Sequence, residues 1–248
     1  MLAFGDSITN GGGELQWGVA LQSWALWVAR GLGLPYSCYA ADGARVHDVL
    51  AEQIPAFEER AGPQARYELG CLYIGVNDVR SADWDPAAFE HDYRDALERL
   101  EPRCDRILTA TAPRDLGRPR AGAKVGDLNA VIQRTAREHG ALVNDLGDFG
   151  ARNLIMTDHV HPTAFGQVAI AERALAVLAA AGMQVKVRPS ALVSYETTRM
   201  RRLRADATYA YRHAKVSLRS LALVAYVQLK GAAPPPPSPR AGDAPAPG

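Results

Sequence analysis

The chain has 248 residues, 48% hydrophobic and 22% charged, enough apolar material for one well-cored domain with an appendage or for two small domains. Its net charge of +1 hides an uneven split: nine basic and three acidic side chains from residue 194 onward give +6 there, leaving −5 for the rest. There is no run of about 18 apolar residues to span a bilayer, no basic start with an apolar stretch marks a signal peptide, and three separated cysteines (Cys38, Cys71, Cys104) suit a reducing compartment better than a disulfide framework.

In chain order, short runs rich in β-formers alternate with longer segments of helical period. Strands are expected at residues 1–4, 36–40, 69–74, 106–111 and 141–145, and helices at 24–31, 46–59, 86–100, 126–138 and 164–181. Asp85-Pro86 is a good helix start, an acidic cap followed by proline at the first helical position. This alternation predicts an α/β fold with a parallel sheet between two helical layers over residues 1–182. The cysteines all fall in strand-like runs, so buried thiols in a reducing, cytoplasmic setting are expected. Only four residues precede Gly5, short for a first strand, which leaves room for a natural start upstream.

The character changes after Gly182. Residues 183–231 are expected to form a basic, helical extension, and 232–248, AAPPPPSPRAGDAPAPG, a disordered tail. The basic segment 194–230 would dock on the acidic body or on a second copy, making a homodimer, or else lie on an anionic membrane. Docking is the preferred expectation, and nucleic acid is not expected because no aromatic-interleaved motif is present.

In sheets of this kind ligands sit beyond the carboxyl ends of the strands, and three reactive segments fall there. Gly5-Asp6-Ser7 follows the first strand, where a serine can hold its hydroxyl over the sheet edge with its own amide near a developing oxyanion. Gly75-Val76-Asn77-Asp78 ends the third strand, and the Asn77 amide can donate into the same space. Asp158-His159-Val160-His161-Pro162 follows the fifth: Asp158 and His161, three apart, can share a face, the carboxylate taking the Nδ1 proton and leaving Nε2 free to accept from a serine. Each segment alone also reads as an ordinary turn or helix cap, since Ser, Asn and Asp favour such positions for conformational reasons. His159 competes with His161 but adjoins the aspartate and should point elsewhere, while His47, His91, His139 and His213 lie in helical runs and read as surface residues.

Taken together and in this order, the segments resemble those of the SGNH/GDSL hydrolases. FGDSITNG is similar to that family's first block, the region around Gly43 in AADGAR to the second, GVNDV to the third and DHVHP to the fifth. The resemblance covers residues 1–182 and is loosest in the second block. It implies a flavodoxin-like five-stranded sheet, Ser7 as nucleophile, His161 as base and Asp158 as its orienting partner. It further implies an oxyanion hole of the Ser7 amide, the Gly43 amide and the Asn77 side chain, with no metal and no organic cofactor. The activity implied is hydrolysis of a small-molecule carboxylic ester of a lipid, a small alcohol or an acetylated sugar. An acyltransferase using the same residues, and a non-catalytic adaptor working through the basic segment, remain as alternatives.

Loops beyond the strands offer substrate contacts: Trp17, Arg45, Arg80 and Trp84, and the cationic stretch 114–124. Trp17 and Trp84 read equally as a platform for an acyl or sugar group and as cover for the core. A solvated surface loop is the simpler expectation for 114–124.

Overall fold

The computed structural model describes residues 1–116, 121–151, 153–195 and 197–231. The expected disordered tail, 232–248, and the centre of the cationic loop, 117–120, lie outside the described residues.

Five parallel strands form one sheet in the order β2-β1-β3-β4-β5, with β1 Leu2–Gly5, β2 Ser37–Cys38, β3 Gly70–Tyr73, β4 Ile107–Ala110 and β5 Leu142–Asn144. Strands β1, β3 and β4 are buried along their whole length, as central strands covered on both faces must be. Phe4, Leu72 and Leu108 are fully enclosed, each burial contributing roughly 1.5–3 kcal/mol.

The helices are α1 Ser7–Asn10, α2 Trp24–Leu32, α3 Val46–Asp48, α4 Ile54–Arg60, α5 Val76–Val79, α6 Pro86–Leu100, α7 Lys124–Glu138, α8 Ala164–Ala180 and α9 Arg199–Gly231. One layer pairs α2 with α8, and α3, α6 and α7 form the other. The chain leaves β1 to one side for β2 and then crosses to β3 on the other. The crevice between β1 and β3 is therefore the topological switch point, where α/β sheets place their ligands.

The expected element order holds, and the differences have local causes. The helix expected over 46–59 is broken by a π-helical stretch, Val49–Gln53, between α3 and α4. Pro55 has no N–H to give to the preceding turn, and the wider spacing absorbs the missing bond. Strand β2 keeps only two of its expected residues, and Cys38 is exposed rather than buried, because β2 is the edge of the sheet. His139 departs from the surface reading: its side chain is 12% exposed and bonds Glu101 through Nδ1 at 2.6 Å. Two short helices, α1 and α5, were not expected, and both begin where a strand hands over a reactive residue.

Candidate active site

Strand β1 delivers Ser7 to the first position of α1. Asp6 caps that helix, its Oδ1 accepting the Ile8 N–H at 2.9 Å. Ser7 thus sits where backbone N–H groups point out of the helix end without intrahelical acceptors. The turn requires glycine at position 5: φ is +146°, and a Cβ there would stand 2.2 Å from the Tyr73 carbonyl oxygen on β3. Gln53, in the π-helical stretch, fixes the same residue from both sides, accepting the Gly5 N–H at 2.9 Å and donating to its carbonyl at 2.8 Å.

The loop after β5 runs back across the sheet to reach Ser7. It is pinned there by a bridge between Glu14 and Thr163 and by the Ala164 N–H donating to Glu14 O at 2.9 Å. His161 Nε2 lies 2.9 Å from Ser7 Oγ, and His161 Nδ1 lies 2.7 Å from Asp158 Oδ2. Asp158 Oδ1 in turn accepts the Val160 and His161 amides at 2.9 and 3.0 Å, which locks the carboxylate under the ring. An ionised carboxylate only accepts, so the Nδ1 proton belongs to the Asp158 bond and Nε2 presents a lone pair to the serine hydroxyl. His159 turns away, with φ +62°, and its Nδ1 lies 3.1 Å from Asp115.

The GVNDV and AADGAR segments close the site from the other side. Asn77, in α5, donates through Nδ2 to Ala44 O at 2.9 Å, and Asp78 accepts the Val46 N–H at 3.1 Å. The loop they hold contains Gly43 in the left-handed region, φ +78°, where a side chain would be strained. The Ala41 N–H donates to Gly5 O at 3.1 Å and Asn10 Nδ2 to Asp42 at 2.9 Å, so this loop is tied directly to the β1–α1 turn that carries Ser7. An amide NH₂ has two hydrogens, and Asn77 uses one on Ala44.

Charge in the site is unevenly placed. The Asp158 hydrogen bond raises the His161 pKa above its ordinary 6.5 against the opposing effect of burial, with Asp6 adding to the rise and the Arg80 charge reducing it. Burial pushes Asp158 upward, but the bonds from the His161 ring and the two amides outweigh it and hold the carboxyl below 3.8. Asp6, fully enclosed, is pushed by burial up to about 7, and Asp78 by burial up to about 6, each partly opposed by the amide it accepts. The arrangement can take a proton from Ser7 and hold it on an imidazole beside a carboxylate, which suits acyl transfer.

A model of the GDSL-like Lipase/Acylhydrolase family matches residues 3–169. The chain belongs to that family. Solved structures with the same fold include a G-D-S-L lipolytic protein from Veillonella parvula, at 21% identity and TM-score 0.59, covering 72% of this chain and 97% of that one. They also include the acetylxylan esterase Axe2 of Geobacillus stearothermophilus, at 22% identity and TM-score 0.56, with 75% and 96% covered. A third is LAE5, an alpha/beta hydrolase from the metagenome of Lake Arreo, at 21% and 0.58, with 72% and 94% covered. No curated protein matches the sequence. The family match stops at residue 169, inside α8, so α9 lies beyond it.

In this GDSL hydrolase the four proposed substrate contacts are distributed. Arg80 donates to Leu116 O at 2.6 Å and lies close enough for its charge to bear on His161. Arg45 pairs with Asp83 at 3.2 Å and donates to Ser81 Oγ at 2.8 Å, lining with Trp84 a cleft of about 220 Å³. Trp84 also packs on Phe89, so it covers core as well as lining the cleft. Trp17 is different. It holds a left-handed φ of +49° and packs on Phe165 and Tyr195, beside a pocket of about 210 Å³ between the body and α9.

Sequence reasoning did not single out Gln53 or Asp78. Gln53 had a legible signal, a polar residue on the otherwise apolar face of Val46, Val49, Leu50 and Phe57. Asp78 had none, because an Asp after Asn in a turn is ordinary until a loop remote in sequence is seen to bond it. Among the described residues no cluster of three or more His, Cys, Asp or Glu is placed to hold a metal ion.

Proposed function

We propose that the protein hydrolyses carboxylic esters through an acyl-enzyme on Ser7. The observation that carries this reading is the continuous relay Ser7 Oγ–His161 Nε2 at 2.9 Å and His161 Nδ1–Asp158 Oδ2 at 2.7 Å. His161 Nε2 takes the hydroxyl proton as Ser7 Oγ attacks the ester carbonyl carbon. The carbonyl electrons move onto oxygen, which is held by the Ser7 and Gly43 amides and the remaining Asn77 N–H. Collapse of the tetrahedral intermediate expels the alcohol oxygen, which receives the proton from His161. Water then attacks the acyl-enzyme with His161 again as base, releasing the acid and restoring Ser7. Asp158 orients the ring throughout and stabilises the imidazolium without itself taking the proton.

Turnover of p-nitrophenyl acetate tests this directly. Ser7→Ala and His161→Ala should each abolish it, and a fluorophosphonate probe should label the wild type at Ser7. Full activity in the Ser7→Ala variant would remove the reading, and an absence of labelling would favour the adaptor alternative. An ester panel varying acyl length and alcohol, with and without added acceptor alcohols, then defines the substrate and separates hydrolysis from acyl transfer.

A further inference from the structure

Helix α9 presents two chemically different faces. At about 100° per residue, Tyr209 falls opposite Met200 and Leu218 on the helix circumference. The Tyr209 side is the docked one: Arg212 donates to both Glu14 carboxylate oxygens at 2.8 and 3.0 Å, and the His213 ring stands 5.6 Å from that of His159. Just before the helix, Tyr195 stacks on Trp17. Opposite, Met200, Leu203, Tyr211, Leu218 and Leu221 are 61–68% exposed, and they fall with Ala207 and Ala214 in a stripe about 80° wide. Large side chains lined up in solvent on one helix face are a binding surface rather than scattered apolar residues.

The charges decide what that surface meets. Arg201, Arg204, Lys215 and Arg219 are all exposed and flank one side of the stripe, between about 60° and 120° from its centre line. The helix contains eight basic residues and one acid, Asp206, which lies towards the docked side and is half-buried. A second copy laid stripe to stripe would bring an equally basic helix against this one. An anionic lipid surface instead offers headgroups to the basic row and acyl chains to the stripe. The stripe runs about 32 Å along the helix, and among the described residues no helix is long and apolar enough to cross a membrane, so the contact is one lying along the interface.

We propose that α9 docks the protein on an anionic membrane surface through this stripe and its basic edge. The proposal stands apart from the chemistry at Ser7. In flotation assays the full chain should rise with vesicles of phosphatidylcholine mixed with phosphatidylglycerol and stay behind with phosphatidylcholine alone. Each basic residue near such a surface accounts for about a fivefold factor in binding, so the variant Arg204→Gln, Lys215→Gln and Arg219→Gln should bind on the order of 100-fold more weakly. The variant Leu203→Ser, Leu218→Ser and Leu221→Ser should lose flotation at unchanged helicity by circular dichroism. If that variant loses helix, the glutamine variant, which keeps the apolar stripe, decides. Equal binding to both vesicle types, or binding to neither, overturns the proposal. So does sedimentation equilibrium showing a dimer that the serine variant dissolves, since the stripe would then be an interface between copies.

Discussion

Replacing Asp6 with Asn should change how stability depends on pH. Asp6 is fully buried, Oδ1 takes the Ile8 N–H, and Oδ2 has no hydrogen-bond partner among the described residues. Burial therefore raises its carboxyl from 3.8 to about 7. Since the folded state holds this proton more tightly than the unfolded chain, the stabilisation is complete below the unfolded value and is lost as pH rises through about 7. A rise of about three units corresponds to on the order of 4 kcal/mol, or about 8–16 °C in Tm for a chain of this size. Asn keeps an oxygen for the Ile8 N–H and cannot ionise. Thermal melts of wild type and Asp6→Asn between about pH 4 and about pH 8, at one ionic strength, should show the variant gaining on the wild type by that amount as pH rises. Parallel stability curves would refute the reasoning, because they would mean that Asp6 ionises as readily folded as unfolded.

The remaining predictions concern the site. Asp158→Asn should lower kcat by about 10⁴-fold, by analogy with loss of the carboxylate in serine protease triads. It should also move the ascending limb of the pH–rate profile to lower pH, because the largest influence raising the His161 pKa is gone; a limb that stays in place would argue against that coupling. Asn77→Ala should cost roughly 10²- to 10³-fold in kcat with little change in KM, read by steady-state kinetics. Gly12→Ala places a Cβ 2.8 Å from Ser7 O and 3.3 Å from His161 Cδ2. The displaced ring should cost on the order of 10²-fold in kcat, and an undiminished rate would show that the ring need not move.

The comparison between chain order and fold follows the range of the interactions involved. Buried strands such as β1, β3 and β4 are near-continuous apolar runs, and α6 begins at Asp85-Pro86 by local capping chemistry, so both are legible along the chain. Asp158 and His161 are three residues apart, and their pairing depends on one turn. The π-helical stretch before Pro55 and the exposed edge at Cys38 were not legible in the same way. The first depends on how a helix absorbs a missing donor, the second on which strand ends the sheet.

By itself, the amino-acid sequence determined that Ser7, Asn77 and the Asp158–His161 pair each follow a strand, because strand ends and turns are written in residues a few positions apart. Only the tertiary structure decided that 154 positions of separation close to 2.9 Å between Ser7 and His161. It also decided that Gln53 and Asp78 hold the turns around them, and that α9 turns Arg212 inward and its apolar stripe outward. Each of these depends on contacts between segments far apart in the chain, and no local preference specifies such a contact.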